Sequence, residues 1–467
     1  MLSDGGRNRD AQHAAKAGAR SSMGALARDG AAAGVIKLAS AGLSFLMFVA
    51  VAMVTDERQF GLYSTAYAGA SLVSFFSLIG QHAVVMRFWP EYTGRGDTAS
   101  ANGLLARSIV VATAGLAIFS LLILLAALLP LAPSVPEWRP LCLATAVLAL
   151  ALGWSEFTSC AFRARGDLIG GLLPRDIVWR VAAIAVFVAA GFLAPGMDAV
   201  AAVYVTAGLL LLCVAPQTFS LLRDTLQARR GPLSGAQRAE FKTVTLGLWG
   251  VTALPPALSQ ASTLVVAAIL GPEAAGAIFV ADRVMRLAVL ALNGINQALA
   301  PQIASAFHNG DRPHVQRITG IAAFGGSAVA LLMLAVFALF GKFILSVFDP
   351  SYATGTMQAA LVILGTGAVV GTACGPTELL LQLTGGQKEL FKALLVVNGL
   401  GLAVMAALTQ VFGPIGAAWG IAGTIMVWCV IGVMIARRRV GIDPSILGFL
   451  AGEDATSVRR LLLRGRA

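Results

Sequence analysis

Long apolar runs alternate with short polar breaks along this chain, and the runs are of similar length. Divided at Gly, Pro and charge clusters, they give twelve segments, approximately 31–54, 61–86, 104–129, 140–162, 177–194, 198–221, 243–270, 274–305, 320–347, 354–382, 390–412 and 414–436. A helix rises 1.5 Å per residue and a bilayer core is about 30 Å thick, so about 20 apolar residues suffice to cross it. Each segment is therefore predicted to span a membrane as a helix. The expected fold class is an all-α polytopic membrane protein of about twelve transmembrane helices in two six-helix lobes.

The polar breaks form two alternating sets. One is short and poor in cations, at 55–60, 130–139, 194–198, 271–273, 349–352 and 413–414. The other carries Arg87 and Arg95, then Arg163, Arg165 and Arg175, then Arg223, Arg229, Arg230 and Arg238, then Arg312 and Arg317, then Lys388 and Lys392, and last Arg437, Arg438 and Arg439. Only Arg58, Arg139 and Lys342 fall on the first side. The positive-inside rule places the basic set and both termini in the cytoplasm, and an even number of spans agrees. Residues 1–30 read as a disordered cytoplasmic tail, and residues 437–467 as a basic one.

Composition supports this reading and removes others. The chain is 57% hydrophobic and 12% charged, with a mean hydropathy of +0.80, too apolar for a water-facing surface. Its net charge of +11 comes from clusters between spans, which set topology; no basic domain that would bind nucleic acid is formed. The five cysteines lie in apolar segments without C-x-x-C spacing, the four histidines are scattered, and no G-x-x-x-x-G-K-[ST] loop occurs. Metal, cofactor and enzymatic chemistry are not indicated.

The chain also repeats. A shift of 215 residues matches Leu43 with Leu258, Gly61 with Gly276, Ala66 with Ala281 and Leu72 with Leu287; a shift of 222 matches Gly153 and Glu156 with Gly375 and Glu378. Lobes over 31–222 and 243–436, joined by a cytoplasmic linker at 223–242, would be parallel repeats about an axis along the membrane normal. Transporters of that plan bind at the midplane between their halves, so spans one, two, seven and eight are expected to line a cavity.

Span eight carries the strongest chemical signal. Arg283 falls roughly 15 Å into it, near mid-depth, where a cation costs at least about 2.5–3.5 kcal/mol. Arg283, Arg286, Asn293 and Gln297 share an arc of roughly 80°, a polar face turned away from lipid. Either the arginines line a cavity for an anionic head group, or they form an internal salt bridge with Asp282. Lys37 shares a face of the first span with Ser40 and Ser44 and is a further binding candidate, or simply snorkels to the cytoplasmic surface. Pro255 and Pro256, in mid-span seven, must bend that helix, as a gate or as a fixed kink. Glu156, Glu378 and Asp282 are candidate ion-coupling carboxylates, because protonation decides what burying a carboxylate costs; Glu156 and Glu378 could equally anchor loop arginines such as Arg163.

Several short motifs occur in a telling order: Phe60-Gly-Leu-Tyr63, Gly80 through Arg87-Phe-Trp-Pro-Glu91-Tyr92 to Gly96-Asp97, Arg163-Ala-Arg-Gly166, Asp282-Arg283 through Pro301-Gln-Ile-Ala304 to Gly310-Asp311, and Gly375-Pro376. In that order they resemble the multidrug/oligosaccharidyl-lipid/polysaccharide (MOP) exporter superfamily, and within it the polysaccharide-transport, O-antigen-type flippase branch. The resemblance implies a V-shaped transporter of two six-helix lobes in the bacterial inner membrane, working by alternating access. It also implies an undecaprenyl-pyrophosphate-linked oligosaccharide as substrate, held by Arg283 and Arg286 at its pyrophosphate or an acidic sugar, with membrane lipids, a polysaccharide polymerase and glycosyltransferases as partners. A cation-coupled multidrug exporter of the same superfamily is the alternative, although cationic drugs call for acidic cavities. A membrane-embedded glycosyltransferase is third, since every loop on the cation-poor side is short.

Overall fold

The computed structural model describes residues 34–128, 136–193, 196–231 and 235–451. Its described elements are helical: α1 (Gly34–Ala52), α2 (Glu57–Ser77), α3 (Gln81–Gly94), α4 (Thr98–Ala126), α5 (Trp138–Ala164), α6 (Leu168–Leu173), α7 (Trp179–Leu193), α8 (Ala199–Gln227), α9 (Gly235–Leu270), α10 (Pro272–His308), α11 (Arg312–Ser346), α12 (Gly355–Ala373), α13 (Thr377–Leu383), α14 (Gln387–Val440) and α15 (Ile446–Ala451). A π-helical turn, Pro174–Val178, joins α6 to α7, and a 3-10 turn, Pro350–Tyr352, precedes α12. Several pairs form single passes, namely α2 with α3, bent by 42°, α6 with α7, and α12 with α13. Eight of the described helical stretches are long and apolar enough to cross a membrane, ten with the bent pairs, and counting the two arms of α14 separately and adding α10 gives a layout consistent with twelve passes of a multi-pass membrane protein.

The ends of these helices follow from local chemistry. Gly96, Gly166 and Gly310 take positive φ (77°, 91° and 74°), the left-handed geometry that stops a helix and that glycine adopts without strain. In each case the next residue is an aspartate that caps the following helix: Asp97 accepts from the Ser100 N–H (3.0 Å), Asp167 from Gly170 (2.7 Å) and Asp311 from His314 (3.1 Å). The Gly-Asp pairs of the basic loops are thus helix-stop, helix-start signals.

Helix α14 folds back on itself at Gly413, whose φ of 60° and ψ of −140° only glycine takes readily, with Pro414 next. Its arms pack through small residues. A Cβ on Gly401 would strike Thr424, one on Gly416 the Leu408 carbonyl, and one on Gly420 would lie 2.5 Å from the Cα of Met405. The paired positions sum to nearly the same number, as an antiparallel hairpin requires.

Two stretches differ from the sequence-based boundaries. α8 continues to Gln227 and α9 begins at Gly235, so most of the expected linker at 223–242 is helical. The expected tail from 437 begins inside α14 and includes α15, whose Phe449 fills a notch at Gly320. Residues 1–30 lie outside the described residues.

Passes one to six and seven to twelve pack largely among themselves, and the halves meet where α2 lies against α9 and α10 and where α3 meets α9. At the cation-poor end this seam is closed. A Cβ on Gly276 would lie 3.0 Å from the Cα of Gly61 and 2.6 Å from the Tyr352 hydroxyl. Phe60, Tyr63, Phe279 and Tyr352 are buried around it, with Phe45 edge-on to Phe348 at 5.2 Å.

Candidate functional site

Behind that aromatic seal a cavity of about 770 Å³ opens between the halves. Its lining residues run from the aromatic roof of Phe45, Phe48 and Tyr67 toward the basic-loop ends of the helices. The expectation of four lining spans is too narrow: every pass contributes except α4 and α11, the third and ninth.

Arg283 and Arg286 both face this cavity. Arg286 donates to both carboxylate oxygens of Asp282, at 2.7 and 3.2 Å. Residues four apart share a helix face whereas adjacent ones do not, so Asp282 pairs with Arg286 and not with Arg283. Arg283 is held differently. One guanidinium nitrogen donates to Gln260 Oε1 at 3.1 Å, and its carbon sits 4.5 Å from the ring centre of Phe279 and 5.6 Å from that of Phe48. Its Nε, buried, has no hydrogen-bond partner among the described residues. Two cation–π contacts of about 0.5–2 kcal/mol each offset part of the cost of the buried charge without neutralising it. Arg283 is thus a cation in the cavity wall without a carboxylate among its described partners.

The other half holds a second group of charges that the sequence reading largely missed. Glu156 lines the cavity and is paired with Arg175, with Arg163 at 3.8 Å. Arg175 belongs to the π-helical turn, a local widening often found at functional sites. The next residue, Asp176, is 2% exposed and lies 3.6 Å from both Arg175 and Arg180. Arg180 also donates to the main-chain carbonyls of Arg175 (2.9 Å) and Asp176 (2.7 Å). Asp176 and Arg180, four residues apart, share a face as regular periodicity foretells, whereas the π-helical turn carries Arg175 against Glu156 of α5, which such periodicity does not foretell.

Lys37 stands apart from the two arginines. It lies outside the cavity lining, and its ammonium bonds Asp176 at 2.5 Å, tying α1 to the π-helical turn. Among the three carboxylates considered for ion coupling, Asp282 is occupied by Arg286 and Glu156 by Arg175. Glu378 lines the cavity, accepts from Gln382 at 3.1 Å, and has no ion pair among the described residues. The side chains of Asn293, Gln297, Pro255 and Pro256 lie outside the described ones. The axis of α9 bends by 55° between Glu240–Leu254 and Ser259–Leu270, the interval containing both prolines.

No family model matches the sequence, and no curated protein matches it. Solved structures match its fold. An inward-facing multidrug resistance MATE family transporter of the MOP superfamily superposes with a TM-score of 0.65 at 15% identity, covering 87% of this chain and 98% of that one. An outward-facing conformation of such a transporter gives 0.58 at 17% identity, covering 88% and 95%. A MOP superfamily transporter from Pyrococcus furiosus, described as having a binding pocket of reverse polarity, gives 0.58 at 17% identity over the same shares. The fold is that of the MATE transporters of the MOP superfamily.

Proposed function

We propose that the protein is a flippase that turns an undecaprenyl-pyrophosphate-linked oligosaccharide from the cytoplasmic to the outer leaflet of the inner membrane, by alternating access, for surface polysaccharide synthesis. The observation that carries this reading is Arg283, a cavity cation whose described partners are an amide oxygen and two ring faces. A pyrophosphate would supply the missing charge, and its oxygens suit the planar fork of a guanidinium. Arg286 would join by sharing its hydrogen bonds with Asp282. The positive-inside rule puts the basic loops, toward which the cavity extends, in the cytoplasm. The greater likeness to an inward-facing than to an outward-facing relative of this fold agrees with a state ready to load there. Translocation makes and breaks no bond, so no catalytic residue is required; a polymerase and glycosyltransferases would act before and after it.

A cation-coupled multidrug exporter is the second reading. Multidrug transporters share the fold, and Glu378 offers a carboxylate without an ion pair. The same fold is described with a pocket of reverse polarity in the Pyrococcus furiosus transporter, so pocket chemistry is the better guide.

The test is translocation of a prenyl-pyrophosphate oligosaccharide in proteoliposomes. Wild type is expected to translocate it, Arg283→Ala to lose at least about tenfold in rate, and Arg283→Lys to keep part of it. Arg286→Ala should lose less, because Asp282 already neutralises Arg286. Equal rates for all variants, or efflux of a cationic dye with no lipid translocation, would reject the proposal.

A further inference from the structure

The arginines occupy one part of the cavity. Another part, built by α10, α13 and the two arms of α14, has different chemistry: Asn296, Asn398, Trp428 and Glu378 all line it. The hairpin register of α14, which sets Gly401 against Thr424 and Gly420 against Met405, brings Asn398 opposite Trp428. Both then lie roughly 22 Å from the turn at Gly413, about as deep as Arg286 is from the start of α10. Asn296 and Glu378 lie about 12–14 Å nearer the basic-loop end, on helices that pack together.

These four side chains keep hydrogen-bonding capacity in reserve. The Asn296 carbonyl oxygen is buried and has no partner among the described residues. Asn398 spends one N–H on the Leu394 carbonyl (2.8 Å), and Glu378 accepts one bond, from Gln382. Leaving a buried amide oxygen unpaired costs about 1–3 kcal/mol, a cost that a ligand can remove. The set combines amide donors and acceptors, a carboxylate acceptor and a flat indole, but no cation. An anion would be repelled by Glu378 and would find no charge partner on this wall. A lipophilic cation would suit Glu378 and Trp428 but would face Arg283 and Arg286 across one cavity. A short chain of sugar rings, extended over the roughly 12–14 Å between the two pairs, fits the set, having hydroxyls that both donate and accept and an apolar face that lies on an aromatic plane.

We propose that Asn296, Asn398, Trp428 and Glu378 form a neutral-sugar subsite that reads the glycan of the translocated lipid, while Arg283 takes its pyrophosphate. This rests on the flippase reading and narrows it. The arginines serve the pyrophosphate and not an acidic sugar, and the sugar on the C-terminal wall is uncharged.

The experiment is equilibrium binding to the full chain in lipid nanodiscs of three probes: bare undecaprenyl pyrophosphate, the same lipid bearing a neutral disaccharide, and the same lipid bearing a uronate. Wild type should bind the neutral glycolipid about tenfold more tightly than the bare lipid, and the uronate form no more tightly than the bare lipid. Asn296→Ala, Asn398→Ala and Trp428→Leu should each erase most of that preference while keeping affinity for bare lipid, which also reports that the variant is folded. Glu378→Gln, which still accepts hydrogen bonds, should retain it, and Glu378→Ala should not. Variants that keep the full preference, or that weaken both lipids equally, would overturn the subsite alone. Failure of wild type to bind bare lipid would overturn the flippase reading and the subsite with it.

Discussion

At the scale of residues, charge is managed differently in the two halves. In the N-terminal half Glu156 and Asp176 face Arg163, Arg175, Arg180 and Lys37, so each cation has a carboxylate within 4 Å. Removing one partner of such a buried pair leaves an uncompensated charge, which costs about 3–5 kcal/mol. Glu156→Gln is therefore expected to lower the thermal unfolding midpoint clearly, and the double variant Glu156→Leu, Arg175→Met to recover much of the loss. A double variant no more stable than Glu156→Gln would show that the pair is not the cause. In the C-terminal half the cavity-lining Arg286 has such a partner, whereas Arg283 beside it has none among the described residues. Sequence periodicity was enough to put both arginines on one polar face, because it needs only the 3.6-residue turn. It could not choose between Asp282 and a ligand as partner, nor place Arg175 against Glu156, since a π-helical turn breaks the periodicity that such reasoning uses.

At the scale of elements, the succession of helices was legible while helix ends were not. Apolar run length and loop charge give the passes, yet Gly96-Asp97, Gly166-Asp167 and Gly310-Asp311 let helices run on past the apolar segments and restart at once. The break at Ile79 and Gly80, with φ of 46° and 70°, has a tertiary reason beside the glycine itself. A Cβ on Gly80 would lie 2.9 Å from the main-chain nitrogen of Trp249, and the Trp249 indole donates to the Phe76 carbonyl at 2.9 Å. At the opposite face the starts of α2 and α5 are joined by Arg58 and Glu137, at 3.0 and 3.1 Å. The Arg58 hydrogen bonds hold the Glu137 carboxyl below its ordinary range. A lowered carboxylate value means stability that is present above the ordinary range and lost as pH falls through the lowered value. Both groups are near the surface, so the effect should be small. In unfolding scans across acid pH, the advantage of wild type over Glu137→Gln should be constant near neutrality and fade as the medium becomes acid. A difference that grows toward acid would contradict the sign.

At the scale of the whole molecule, the internal repeat has a spatial meaning. Gly61 and Gly276, matched by the 215-residue shift, are in contact across the seam, which is where the expected parallel repeat would put equivalent points near its axis. Glu156 and Glu378, matched by the second shift, both line the cavity, though only one is paired. The closed end depends on glycine at the seam. A valine at Gly276 would strike the backbone of Gly61 and the Tyr352 hydroxyl, so Gly276→Val should force that end apart. With the native cysteines replaced, Ser64→Cys, buried one turn from Gly61, should then react with a membrane-impermeant thiol reagent added on the cation-poor side, and should resist it when Gly276 is intact. Equal labelling in both backgrounds would show that the contact is not the seal. On the flippase reading proposed above, the ring faces beside Arg283 would also bear on the half of the cycle in which nothing is carried. A cavity built only to complement an anion would stall once emptied, because shutting around a bare guanidinium is costly. Phe48 and Phe279 would act as a permanent, weak counterion and Asp282 would silence the second arginine, so the vacant protein could reset and turnover need not wait for a return passenger.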